Sequence, residues 1–281
     1  MEPTRVEFAG HNGLKLAADS YGTPGNQPVL LAHGGGQTRH AWGGAAKTLA
    51  AQGWHAISVD LRGHGDSEWC PDANYSIDAY AEDLRKIAAT FDRKPAAVGA
   101  SLGGSSSLIA EGEHPENVFA ALVLVDITPK VEEEGVQKIR GFMHANMEEG
   151  FGSLEEAADA IAKYLPHRPR PKSLEGLKKN LRLRENGRYY WHWDPKFSTG
   201  PSRPRDARRP ERMENAARSL DIPTLLVRGK MSDLVSEEAA REFMTMVPHA
   251  EFVDVSGAGH MVAGDKNDAF AEAVVSFLNR L

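Results

Sequence analysis

The chain of 281 residues is 41% hydrophobic and 26% charged, proportions that exclude a disordered or collagen-like protein and leave ample length for one large core. Its 33 Lys and Arg against 39 Asp and Glu give a formal charge of −6, without the basic surplus of a nucleic-acid binder. A single cysteine, Cys70, excludes an intramolecular disulfide and a cysteine-based metal site.

In chain order, Val6–Phe8 and Leu14–Ala18 flank Asn12-Gly13 and predict a hairpin. Short apolar runs follow at 29–32 and 56–59, then a helix over 76–91 with Ser76 as its N-cap. A run at 96–99 leads into a helix over 104–113, and another run occupies 121–125. Near the end, runs at 224–227 and 251–255 alternate with helical patterns at 236–247 and 268–281. The runs are short, mostly continuous and rich in β-branched residues, as expected of parallel strands covered on both faces. The fold class is therefore α/β, with a doubly wound, mostly parallel sheet.

The alternation stops between the sixth and seventh core strands. Residues 128–219 contain amphipathic helical patterns at 154–164 and 174–184, and seven of the 16 prolines fall between Pro166 and Pro210. Roughly ninety residues exceed any ordinary strand–helix connection, so the expected organisation is core 1–127, an inserted lid or cap 128–219, and core 220–281. The charge divides with it: residues 163–218 carry 16 Lys/Arg and 6 Asp/Glu, a local +10 against −16 elsewhere. A solvated lid surface paired with scaffold carboxylates explains this, and one or two inward arginines would instead favour an anionic substrate.

No window approaches the roughly 18 apolar residues of a membrane span, and no apolar run follows Arg5. The expectation is a soluble cytoplasmic protein without membrane or nucleic-acid partners; the sequence does not specify its oligomeric state.

The strongest chemical signal is Gly99-Ala100-Ser101-Leu102-Gly103 between a predicted strand and a predicted helix. In that setting the serine occupies a sharp turn with its hydroxyl toward a cleft. A serine hydroxyl needs a base, and His260 stands on the glycine-rich loop 256–261 after the last strand. The acid is expected at Asp233, at the carboxyl end of the 224–227 strand, with Asp126 after the 121–125 strand as the competing position. His33-Gly34-Gly35-Gly36 follows the 29–32 strand and offers backbone N–H groups to an oxyanion. Gly35 is the expected first donor, Leu102 the second, and Gly36 the reserve and a pocket residue. In the run Tyr189-Tyr190-Trp191-His192-Trp193, an extended backbone is expected to turn Trp191 and Trp193 to opposite sides, one toward substrate, the alternative being that all four aromatics anchor the lid to the core.

These residues resemble the α/β-hydrolase fold superfamily over nearly the whole chain. The resemblance rests on residues 33–36, Asp60-Leu61-Arg62-Gly63-His64-Gly65-Asp66-Ser67, the serine turn, Val125-Asp126, Asp233 and Gly259-His260, in the chain order Ser101, Asp233, His260. It is closest to small bacterial esterases and the cofactor-free haloperoxidases or perhydrolases. The resemblance implies a structural role for 60–67, with Arg62 and His64 as positioning groups, and a helical lid over the substrate. It further implies acyl transfer from a small ester or lactone to water without metal or organic cofactor. Perhydrolysis and carbon–carbon bond hydrolysis use the same triad, and a non-catalytic receptor retaining the pocket is the reading from another class. An epoxide hydrolase or dehalogenase of this fold would place aspartate where Ser101 stands.

Overall fold

The computed structural model describes residues 1–166, 173–200, 210–260 and 267–281. Asn12 and Gly13 adopt positive φ, 60° and 77°, and turn β1 (Thr4–Ala9) back on β2 (Lys15–Tyr21) in antiparallel register from Thr4–Ser20 to Ala9–Lys15. β3 (Pro28–Ala32), β4 (His55–Val59), β5 (Ala96–Ala100) and β6 (Ala121–Val125) follow, with β9 (Thr224–Gly229) and β10 (Glu251–Val255) near the end of the chain. The sheet order is β1-β2-β4-β3-β5-β6-β9-β10, and every pair from β4 onward is parallel.

Strand periodicity divides the core into two layers. Leu30, Ile57, Val59, Leu122, Leu124 and Leu226 face one side, which is covered by α2 (Ile77–Ala88) and α3 (Leu102–Gly112). Val29, Leu31, Val98, Val123, Val125 and Val227 face the other with residues of α1 (Gly43–Ala51). Each fully buried Val, Leu or Ile contributes about 1.5–3 kcal/mol relative to exposure, which makes these continuous runs the stabilising frame. Ser76 caps α2 by accepting the Ala79 N–H at 3.3 Å, as its position in the sequence predicts. Because β3, β5, β6, β9 and β10 run parallel, the residues that follow them emerge along one edge of the sheet.

Between β6 and β9 lie α4 (Glu133–His144), α5 (Leu154–Tyr164), a hairpin of β7 (Leu181–Leu183) and β8 (Tyr189–Trp191), the short α6 (Lys196–Thr199) and α7 (Pro210–Arg218). The helix expected over 174–184 is instead a 3₁₀ segment, Glu175–Lys179, followed by β7. Gly187, at φ 75°, permits the turn that pairs Leu181 with Trp191, and this pairing overrides the helical spacing of the leucines. The chain beyond β8 docks on the core: Gly65 N–H donates to His192 O at 2.7 Å, and Asp194 N–H donates to Gly63 O at 2.8 Å.

Helix α7 packs with the core layer although it falls within 128–219. A Cβ on Gly112 of α3 would stand 2.2 Å from the Ala216 carbonyl, so the two helices meet backbone to backbone. The described arginines of 163–218 look outward or into local pairs. Arg212 bonds Asp78 and Glu113, Arg188 donates to the Glu149 and Gly150 carbonyls, and Arg184 lies 3.9 Å over the Tyr190 ring. Arg168, Arg170, Arg203, Arg205, Arg208 and Arg209 lie outside the described residues. Among the described residues no helix is long and apolar enough to cross a membrane.

Candidate active site

Ser101 joins β5 to α3 with φ 45° and ψ −109°, a conformation that side-chain-bearing residues rarely hold and that costs on the order of 1–3 kcal/mol. Close packing enforces it. A Cβ on Gly99 would stand 2.6 Å from the Gly103 carbonyl, and one on Gly103 would stand 2.3 Å from Ala32 O. Glycine is therefore required on both sides, and the serine between them lines a cavity of about 840 Å³.

His260 lines the same cavity. Its Nδ1–H donates to Asp126 Oδ2 at 2.7 Å, which leaves Nε2 as the nitrogen available to a nucleophile. The pairing corrects the expected acid. Asp233 Oδ2 instead accepts from Lys138 Nζ of α4 at 2.6 Å, and its side chain is 41% exposed. Asp126, fully buried at the end of β6, adopts a left-handed φ of 49° while its N–H donates to Val227 O at 2.7 Å. That bend carries the carboxylate across the end of β9 toward His260.

The Asp126 carboxylate is held from two further directions. Gly229 N–H donates to Oδ1 at 3.1 Å, and the Ser232 hydroxyl donates to Oδ2 at 2.6 Å. Ser232 Oγ in turn accepts the Leu234 and Val235 N–H groups, both at 3.1 Å. Sequence reading passed over Ser232 because its neighbour Asp233 had the expected chemistry. The signal that could have found it is a hydroxyl in a strand-end turn that can satisfy two following N–H groups and still donate.

Two buried histidines set the glycine loop. His33 Nδ1–H donates to Gly34 O at 2.7 Å, and its Nε2 accepts Leu61 N–H at 3.0 Å. His64 Nδ1–H donates to Arg62 O at 2.9 Å, and its Nε2 accepts Gly36 N–H at 3.1 Å. Burial pushes His33 down to about 4 and His64 down to about 3, so both work as neutral rings. Below them Asp60 accepts Arg39 N–H at 2.6 Å and pairs with the Arg39 guanidinium at 2.5 Å. The Gly36 N–H is thus engaged by His64, whereas Gly36 itself still lines the cavity. Leu102 is the first residue of α3, so its N–H has no acceptor within the helix.

Trp191 and Trp193 both line the cavity. They do not turn to opposite sides, because residues two apart on an extended chain share a face. Trp191 meets Phe142 and Phe151 edge-on, and Trp193 meets Phe197 in the same way. Among the described residues, no group of three or more His, Cys, Asp or Glu side chains is arranged to hold a metal ion.

A profile of the alpha/beta hydrolase family matches residues 29–273. Esterase Rv0045c of Mycobacterium tuberculosis is 31% identical over 261 residues, which span 89% of this chain and 82% of that protein. A solved structure of that esterase superposes with a TM-score of 0.76 at 28% identity, covering 99% of this chain and 93% of that one. Non-heme chloroperoxidase CPO-A1 of Kitasatospora aureofaciens is 26% identical, across 96% of this chain and 98% of its own. E-2-(acetamidomethylene)succinate hydrolase shares the fold at a TM-score of 0.85 and 23% identity, over 99% of each chain.

Proposed function

The chain belongs to the alpha/beta hydrolase family, and from that premise we propose that it is a serine esterase or lactonase acting through Ser101, His260 and Asp126. The observation that carries the reading is the 2.7 Å bond from His260 to a buried, triply held carboxylate, on the sheet edge where strained Ser101 faces the same cavity. His260 Nε2 takes the Ser101 proton as Oγ attacks the carbonyl carbon, and Asp126 stabilises the imidazolium that forms. The Gly35 and Leu102 N–H groups receive the negative oxygen of the tetrahedral intermediate. Collapse of that intermediate expels the alcohol, which leaves with the proton from His260. Water then attacks the acyl-serine along the reverse path, with His260 again as base.

In this reading the inserted segment ahead of α7 serves as the lid, with Trp191 and Trp193 as walls of the substrate pocket. The similarity to a mycobacterial esterase over 89% of the chain supports ester hydrolysis as the reaction. The test is turnover of p-nitrophenyl acetate and butyrate, together with a γ-lactone, by wild type and Ser101→Ala. Wild type should turn over at least one, and the variant should lose about 10³-fold or more in kcat. Equal rates in the two proteins would remove Ser101 from the mechanism.

A further inference from the structure

The loop Gly34–Gln37 commits its backbone groups unequally. Gly36 N–H donates to His64 Nε2 at 3.1 Å, and Gly34 N–H donates to the Gln37 side-chain Oε1 at 3.0 Å. Gly34 O accepts twice, from His33 Nδ1–H at 2.7 Å and from Gln37 N–H at 3.1 Å. Of the three glycine N–H groups, only that of Gly35 has no partner among the described residues. A Cβ on Gly35 would stand 3.9 Å from Leu102 Cδ2, so this residue lies beside the start of α3.

The direction of Gly35 N–H follows from the planarity of its peptide. Gly34 C=O and Gly35 N–H share one trans unit and point opposite ways, so whatever holds the carbonyl aims the N–H. Gln37 acts on both peptides that meet at buried Gly34: its backbone N–H holds the Gly34 carbonyl, and its Oε1 holds the Gly34 N–H. Glycine has no Cβ to narrow φ and ψ, so the loop has little preference of its own to fall back on. Next to Gln37, Thr38 is 1% exposed and donates its hydroxyl to Asn180 Oδ1 at 3.0 Å, which anchors that end of the turn. Gln37 also lines the cavity. A Cβ on Gly34 would stand 3.3 Å from Gln37 Oε1 and 3.5 Å from Ser101 Cβ, so the clamp sits next to the nucleophile.

Resting on the esterase reading, we propose that Gln37 is a positioning residue for transition-state stabilisation: its side-chain oxygen fixes the Gly34 peptide so that Gly35 N–H meets the oxyanion together with Leu102 N–H. Without that acceptor, a buried Gly34 N–H is left unsatisfied, and the glycine loop turns to find a partner and carries Gly35 N–H off line. Removing an oxyanion donor outright costs about 10²–10³-fold in kcat, so displacing one should cost about 10- to 100-fold. The interaction belongs to the transition state more than to the bound ester, so KM should stay within about threefold.

The experiment compares p-nitrophenyl butyrate with its thiono analogue, in which sulfur replaces the carbonyl oxygen, each rate divided by the ester's own hydroxide-catalysed rate. Sulfur is a weak acceptor, so the thionoester gains little from a well-aimed N–H. Wild type should strongly favour the oxygen ester. Gln37→Met, of similar length but without an oxygen, should lower kcat on the oxygen ester by the stated factor and pull the oxygen-to-sulfur ratio toward one. Gln37→Glu keeps an acceptor for Gly34 N–H and should restore that ratio, whatever its added charge does to both absolute rates. A ratio unchanged in Gln37→Met overturns the proposal, because a merely structural loss lowers both rates alike. So does a change confined to KM, or a folded Gln37→Glu whose ratio matches that of Gln37→Met. Gln37→Leu carries the same expectation if Gln37→Met does not accumulate soluble. Absence of turnover on every ester, with Ser101 unreactive toward a fluorophosphonate, would instead overturn the esterase reading itself.

Discussion

Lowering the pH from 8 to 5 should cost the folded protein about 4 kcal/mol through His33 and His64 together, about 2 kcal/mol each. Both rings already use both nitrogens: Nδ1–H donates to a carbonyl and Nε2 accepts a backbone N–H. A second proton on Nε2 would set N–H against N–H where both rings are fully closed off from solvent. Burial therefore holds His33 down to about 4 and His64 to about 3, with the His33 ring adding to the effect on His64. In the unfolded chain both titrate near the ordinary histidine value of about 6.5. Below that value the unfolded chain takes up protons that the native state refuses, so stability falls as pH drops toward 4 and 3. The slope is about 1.4 kcal/mol per pH unit for each ring.

His64→Gln isolates one ring. Its side-chain oxygen can still accept the Gly36 N–H, although the donor to Arg62 O is lost, a pH-independent cost of about 1 kcal/mol. Urea unfolding at pH 8, 7, 6 and 5, analysed where m stays constant, should show the variant losing about 2 kcal/mol less than wild type across the range. Carboxylates and the other histidines contribute equally to both proteins and drop out of the difference. Equal losses in the two proteins would refute the argument that His64 is neutral and structurally committed.

Three further outcomes follow from the site. Asp126→Asn should reduce kcat by about 10³–10⁴-fold, while Asp233→Asn should stay within about threefold, because an exposed ion pair to Lys138 is worth little; steady-state kinetics on one activated ester compares the two. Ser232→Ala removes a hydrogen bond to the same Asp126 oxygen that His260 uses, so kcat/KM on one activated ester should fall about tenfold or more. Gly103→Ala drives a Cβ to 2.3 Å from the Ala32 carbonyl, and a thermal melt should fall by about 5–10 °C or the protein should fail to accumulate soluble.

The central sheet was legible because its strands are buried on both faces and read as unbroken apolar runs, as 121–125 does for β6, while the edge strand β10 coincides with 251–255 although Glu251 and Asp254 interrupt its apolar pattern. Ser76 was legible as a cap for a local reason, a hydroxyl that reaches the N–H three residues on, and Ser236, read only as the start of a helical pattern, caps its helix in the same way. The segment 174–184 was misread. Leu174, Leu177 and Leu181 have helical spacing, but Leu181 pairs with Trp191 across Asn186-Gly187, a turn dipeptide whose hairpin signal outweighs that spacing and was passed over. Ser101 was placed by its glycines, whose need is a close approach to neighbouring backbone. Trp191 and Trp193 were placed at the pocket, yet their orientation was misjudged by ignoring that two residues make a full strand period.

The acid shows where sequence reasoning stops and why. Asp126 and Asp233 both follow adjacent parallel strands, β6 and β9, so each begins within reach of the same loop. Two packing facts separate them. Gly135 of α4 approaches so closely that its Cβ would stand 2.1 Å from the Asp233 carbonyl, and Lys138, one helical turn on, holds that residue's carboxylate at the surface. Meanwhile the left-handed turn at Asp126 swings its side chain across the end of β9, where Gly229, on which a Cβ would stand 2.2 Å from the Gly259 carbonyl, supplies an N–H without a side chain in the way. The first depends on where α4 lies, and α4 belongs to the segment between β6 and β9 that also lines the cavity; the second depends on the bend at Asp126 and on the bare backbone of Gly229. Replacing α4 should therefore release the Asp233 carboxylate and reshape the cavity wall together, while the Asp126–His260 bond, which no α4 residue touches, should persist; kinetics on one activated ester would register the change as a shift in KM more than in kcat.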